Sequence, residues 1–150
     1  VSKPSLIVPP VAAAVVIFIS SEILPDTFLP KSWLMHRWEL TLAGHLILFG
    51  VLGFFTTRML CSLLSFSRPR IMMLVLFGCL VFGALDELHQ MFVPGRQAEW
   101  IDLAADTAGA LIGAVTFMIV SRYRTSVRNS THSTHVACPK DKVFPHQAGK

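Results

Sequence analysis

The stretch IMMLVLFGCLVFGALDELHQMFV, residues 71–93, decides the fold class. From Ile71 to Leu85 no residue is charged; then Asp86, Glu87, His89 and Gln90 arrive within five positions. A helix rises about 1.5 Å per residue, so 23 residues cover roughly 34 Å, enough for the hydrocarbon core of a bilayer. The run is continuous and lacks the ten-residue alternation of barrel strands. It predicts a membrane-spanning helix whose polar groups gather at one end.

Working outward, three more apolar segments approach the same length: residues 5–24, 40–57 or a little beyond, and 101–120. The expected architecture is all-α, a four-helix transmembrane bundle in residues 1–124. Pro9 and Pro10 interrupt the first span near its start. Lys3 before an apolar run also fits a signal peptide, but Ser20, Ser21 and Glu22 make a poor cleavage site, so an uncleaved helix is expected. Residues 125–150, rich in Ser, Thr, His and Lys, read as a disordered basic tail on the cytoplasmic side.

Composition agrees. Of 150 residues, 53% are hydrophobic and 15% charged, with a mean hydropathy of +0.58. Soluble domains carry about 25% charged residues, which this chain does not approach. Disorder as the main state is excluded by the same figures, since low hydrophobicity and high charge are its signature. A pI near 9.3 does not argue for nucleic acid, because the basic residues lie between apolar segments and are not gathered on one soluble face. Cys61, Cys79 and Cys138 have no paired spacing that would make a disulfide framework or a zinc site. His132, His135 and His146 of the tail are at most weak metal ligands.

Orientation follows from the basic residues. Ten of the 13 fall on the side of the N-terminus, the second loop (Arg58, Arg68, Arg70) and the tail; Lys31, Arg37 and Arg96 fall on the other. Both termini are therefore expected to be cytoplasmic. Trp33, Trp38 and Trp100 then share the outer interface, where an aromatic belt belongs.

The polar residues meet in that outer layer. At about 100° per residue, Asp86, His89 and Gln90 fall in one arc, with Glu87 about 60° beyond Gln90. In the fourth span Asp102, Asp106, Gly109 and Gly113 form one narrow stripe. The glycines at that spacing suit close helix packing. His45 lies roughly 8 Å in from the outer end of the second helix, and Asp106 a similar depth into the fourth. Arg96 sits in the short connection above. Asp102 alone reads as an ordinary acidic residue near a helix start. Four carboxylates on apolar helices are unfavourable unless hydrated or paired, with Arg96, His45 and His89 as the available partners. A functional pocket and a structural polar network are the two explanations.

From Asp86-Glu87-Leu88-His89-Gln90-Met91-Phe92-Val93-Pro94-Gly95-Arg96 through Asp102, Asp106, Gly109 and Gly113, the sequence resembles the VanZ-like family of small bacterial membrane proteins. Ser20-Ser21 before Pro25, and His45 early in the second helix, are similar to the family as well. The resemblance covers roughly residues 17–120. Two positions depart from its pattern: Thr41 and Leu42 stand where an acidic-basic pair commonly precedes the histidine, and Asp106 where Asn is frequent. The resemblance implies a four-helix protein of the cytoplasmic membrane and an association with resistance to teicoplanin, a lipidated glycopeptide.

Three functions compete. In the first, His45, Glu87, Gln90, Arg96, Asp102 and Asp106 bind a lipid headgroup or a lipid-linked cell-wall ligand, with the Arg96 fork on a phosphate or carboxylate. In the second, the chain is an enzyme acting on such a lipid, with Asp86 or Glu87 as general base and His89 or His45 transferring a proton. A divalent metal on Asp86, His89, Asp102 and Asp106 is chemically conceivable, but no compact motif supports one, and no metal or cofactor is expected. Soluble-hydrolase and nucleotide signatures are absent. In the third, the chain is a small subunit that packs in a homo-oligomer or a larger membrane complex.

Overall fold

In a bilayer, backbone polar groups must bond within the chain, and long apolar runs satisfy this as helices. The computed structural model describes residues 3–22, 37–93 and 98–134, with backbone alone for 37 and 125–134. It contains four helices among the described residues: α1 (Lys3–Glu22), α2 (Arg37–Leu63), α3 (Arg68–Gln90) and α4 (Trp100–Thr134). All four are long and apolar enough to cross a membrane, α4 through the segment Trp100–Arg124. The chain divides into two compact units, residues 1–119 and 120–150. The helix bundle and the polar cluster described below lie in the first.

The apolar runs locate the helices but misplace their ends. Residue 37 begins α2, and the helix continues six residues past Thr57 to Leu63. Its extension carries Arg58, whose carbonyl accepts from Ser62 Oγ at 2.8 Å. Ser67 caps α3 in an extended conformation ahead of Pro69, whose fixed φ suits a first turn. At its other end α3 stops at Gln90, three residues short of the apolar run's end. Phe92 and Val93 donate to the carbonyls of His89 and Gln90 in a tight turn. Pro94 follows in the sequence, and a residue before proline is pushed out of the helical region. Pro9 and Pro10 lie inside α1 without ending it, as membrane helices tolerate. Backbone of residues 125–134 continues α4, where an unstructured tail is expected; once a helix exists, each further residue adds a hydrogen bond at low cost.

In α1, Leu6, Pro10, Ile17 and Ser21 are buried and form one stripe at helical spacing. Ile17 meets Phe49, Leu52, Ile71, Val75, Cys79, Ala110 and Ala114 in a core fed by all four helices. Phe49 and Phe82 tilt together across α2 and α3 with centroids 5.9 Å apart. The outward faces are apolar instead of polar: Phe77 and Met73 on α3, and Val8 and Val16 on α1, are exposed, as lipid-facing side chains are.

Helices α2 and α4 run parallel and touch through backbone. A Cβ placed on Gly113 collides with the carbonyl oxygen of Gly50 and reaches 2.8 Å from the Phe54 nitrogen. One on Gly53 meets Ala110 Cα at 2.7 Å, and one on Gly109 collides with the Leu46 carbonyl. Below this seam Phe54 and Phe117 pack edge to face, 5.4 Å between centroids.

Side chains added to the seam must push the helices apart. Gly113→Leu and Gly53→Leu are expected to destabilise the detergent-solubilised protein by about 1–3 kcal/mol in thermal unfolding, the usual cost of overpacking. Gly78→Ala, where an added Cβ meets nothing within 4 Å, is the matched control and is expected to leave the unfolding midpoint unchanged.

Candidate functional site

The parallel contact of α2 with α4 carries His45 to Asp106. With Asp106 as carboxylate, His45 Nδ1–H donates to Asp106 Oδ1 across 2.9 Å, and His45 Nε2 stands 3.9 Å from Asp102 Oδ2. Asp102 and Asp106 are one turn apart on α4, so they flank the imidazole along a single face. Asp106 is fully buried and Asp102 nearly so.

Helix α3 closes the third side. Gly83, Asp86, Glu87 and Gln90 are all buried, the face that α3 turns inward. Gly83 lets α4 come close: a Cβ there would lie 2.8 Å from Asp106 Oδ2 and 3.1 Å from Leu103 Cδ1. Gln90 Nε2 donates to Asp86 Oδ2 at 2.9 Å. The Glu99 backbone N–H, just before α4, donates to Glu87 Oε2 at 2.8 Å and ties the start of α4 to the end of α3.

Three of the four carboxylates keep one buried oxygen each without a hydrogen-bond partner: Asp86 Oδ1, Glu87 Oε1 and Asp106 Oδ2. Native proteins leave few such atoms, and each one calls for an occupant or a proton. Among the described residues the ion pairs reaching this cluster come from one imidazole, that of His45. The described residues of this arrangement can therefore accept hydrogen bonds or hold positive charge.

The residues singled out from sequence are sorted by this geometry. His45, Asp86, Glu87, Gln90, Asp102 and Asp106 come together. His89 does not: its Nε2 bonds Glu22 of α1, and its ring lies 4.7 Å from that of Phe18. At this end of α3 the buried residues Gly83, Asp86, Glu87 and Gln90 centre near Gln90 and Gly83, which leaves His89 about 100° away from that centre. Arg96 lies outside the described residues, as does Trp33. Gly109 and Gly113 lie against Leu46 and Gly50 of α2. Three participants escape a reading of sequence: Glu22 as partner of His89, the Glu99 backbone, and Gly83. For Gly83 a signal exists, since it stands three residues before Asp86 and seven before Gln90 on the same helical stripe.

Trp38 and Trp100, at the starts of α2 and α4, are both exposed at the end of the bundle that holds the cluster. Four apolar helices with an acid-rich cluster where three of them converge define a small multi-pass membrane protein, polar at one end of its bundle. The chain belongs to the VanZ/LLP1 family, whose model matches residues 8–121 and so takes in the core and every member of the cluster. No curated protein and no solved structure matches it significantly.

The His45–Asp106 contact is testable as an energy. A double-mutant cycle with His45→Ala and Asp106→Asn, read by unfolding in detergent, is expected to give a coupling of about 1.5–3 kcal/mol, as for a buried hydrogen bond to a charged group. The half-exposed pair His89 and Glu22, cycled in the same way, is expected to give under about 1 kcal/mol. Equal couplings would contradict the burial difference.

Proposed function

We propose that this VanZ-family chain is a binding protein of the bacterial cytoplasmic membrane. It seats an amphiphile, a lipid or lipid-linked envelope component, with the headgroup at the outward-facing polar cluster and the chain along the bundle. One observation carries the reading. An apolar groove of about 370 Å³ between α2 and α4, lined by Leu46, Ile47, Val51, Phe54 and Ile112, begins at the residue next to His45. The groove's α2 residues lie on a different face of that helix from His45, so an elongated molecule that lies in the groove would turn its polar end around α2 to meet the cluster. The acidic character of the cluster favours a headgroup rich in hydroxyl or amino donors, and Arg96, which the sequence places in the adjoining connection, is assigned to any anionic group it carries. The excess of basic residues on the opposite side supports an outward cluster. A lipidated glycopeptide, or the envelope component such a drug engages, belongs to this ligand class.

A second reading has one observation in its favour. A histidine oriented by a buried aspartate is a competent general base, and the His45–Asp106 hydrogen bond supplies that pair. In an enzyme of this kind the bound lipid leaves with a changed mass.

Both readings are decided by one preparation. The full chain, reconstituted in vesicles of envelope lipid extract and re-purified, is expected to retain a particular amphiphile by mass spectrometry, with its mass unchanged. Val51→Trp, which fills the groove, and the cluster variants Glu87→Gln, Gln90→Ala and Arg96→Ala are expected to reduce retention about tenfold, equivalent to about 1.4 kcal/mol, at unchanged membrane abundance. A converted mass would replace binding with catalysis. Retention, teicoplanin tolerance and envelope lipid profile all unchanged in the variants would leave packing in a complex as the remaining role.

A further inference from the structure

Three side chains from three different helices converge here. One nitrogen of His45 (α2), one oxygen of Glu87 (α3) and one of Asp106 (α4) all lie within 4.8 Å of one another. Three ligands at about 2.1 Å from one tetrahedral ion stand about 3.4 Å apart, so side-chain rotations that shorten the widest separation by up to about 1.4 Å close the set. Independent of that convergence, Glu87 Oε1 and Asp106 Oδ2 are buried acceptors without partners, on side chains 6% and 0% exposed. Asp86 Oδ1, orphaned on the same face of α3, is available as a fourth ligand or as an acceptor for a bound water.

We propose that His45, Glu87 and Asp106 form a binding site for one divalent first-row transition ion, Zn²⁺ or Mn²⁺, that clasps α2, α3 and α4 together at the polar end of the bundle. A cation satisfies the orphaned oxygens at once, whereas hydrocarbon tails carry no donor that could. It also offsets the excess of acid over imidazole among the described residues. The mixture of one imidazole with carboxylates selects against Mg²⁺ and Ca²⁺, which take all-oxygen shells. Existing hydrogen bonds hold the ligands for the ion: the Glu99 N–H on the second oxygen of Glu87, and Gln90 on Asp86. Sequence spacing does not announce such a site, because each helix contributes a single ligand. The inference does not rest on the headgroup reading, since an ion that clasps helices binds in pure detergent with no lipid present.

The test uses the full chain with His132, His135 and His146 of the tail changed to Gln, so that the tail adds no background. After chelator treatment and reloading in detergent, elemental analysis is expected to find one equivalent of Zn²⁺ or Mn²⁺ per chain. The unfolding midpoint is expected to rise with the concentration of either ion but not with Mg²⁺ or Ca²⁺. Asp106→Asn and Glu87→Gln are each expected to weaken binding by about 100-fold, at least the loss typical for groups that support metal ligands. Glu22→Gln, outside the cluster, is expected to bind normally. Pulsed electron paramagnetic resonance of bound Mn²⁺ is expected to show a nitrogen coupling that His45→Gln removes. Failure of the wild-type chain to hold an equivalent, full binding in both carboxylate variants, or equal affinity for Mg²⁺ overturns the proposal. Should neither variant fold, wild-type stoichiometry and the nitrogen coupling decide.

Discussion

The backbone contact between α2 and α4 is the constraint on which the other features depend. Gly50, Gly53, Gly109 and Gly113 allow the two helices to approach until carbonyls of one lie against Cα atoms of the other. Helices that close have no freedom to slide, because a shift along the axis would bring side chains into the seam. The register that results is what sets His45 opposite Asp106 and Phe54 opposite Phe117. In a membrane, where helices gain no hydrophobic free energy by leaving lipid for each other, close van der Waals contact of this kind is the main source of specificity. The polar cluster is thus positioned by glycines that lie a turn or more below it.

Helix α3 joins that frame through the same device used once. Gly83 removes the side chain that would otherwise occupy the space of Asp106 Oδ2, and the residues one and two turns further along the stripe, Asp86, Glu87 and Gln90, follow into the interior. Local hydrogen bonds then set individual rotamers: Gln90 holds Asp86, and the Glu99 backbone holds Glu87. On the far side of α3, His89 and Glu22 join α3 to α1 where both side chains are partly exposed. Two histidines on apolar helices thus serve different ends. His45 lies inside the cluster, and His89 closes a contact at its edge.

Much of this was legible in the sequence and some of it was not. Four helices follow from four apolar runs, because length and hydropathy are local properties. Asp102, Asp106, Gly109 and Gly113 read correctly as one stripe of α4, because helical periodicity relates residues within one helix. That same periodicity gives only relative angles, so it groups His89 with Asp86 and cannot say which part of the arc faces inward. The inward direction comes from the neighbouring helices, and Gly83 was its one mark in the sequence. Pairings across helices, such as His45 with Asp106 or His89 with Glu22, depend on register and lie beyond any reading of separate spans. Helix ends were misplaced for a related reason. Hydropathy fades gradually through Arg58 and Ser62, whereas a helix stops at a proline or a cap, as α3 does before Pro94.

The cluster is hard to account for as a stabilising feature. Exchanging a buried ion pair for well-packed apolar residues is often neutral or favourable, and among the described residues the imbalance is greater than a pair, with Asp86, Glu87, Asp102 and Asp106 around one imidazole. The glycine seam and the Phe49–Phe82 contact lie away from the carboxylates, so a large part of the helix packing is made without them. A bundle selected for stability alone would place leucine or alanine at these positions, as it does in the layers below, where Leu52, Val75, Ala110 and Ala114 fill the core. Acid kept at that cost, with three buried oxygens unmatched, is a feature that packing alone does not account for, and it is the ground on which both the ligand and the metal proposals stand.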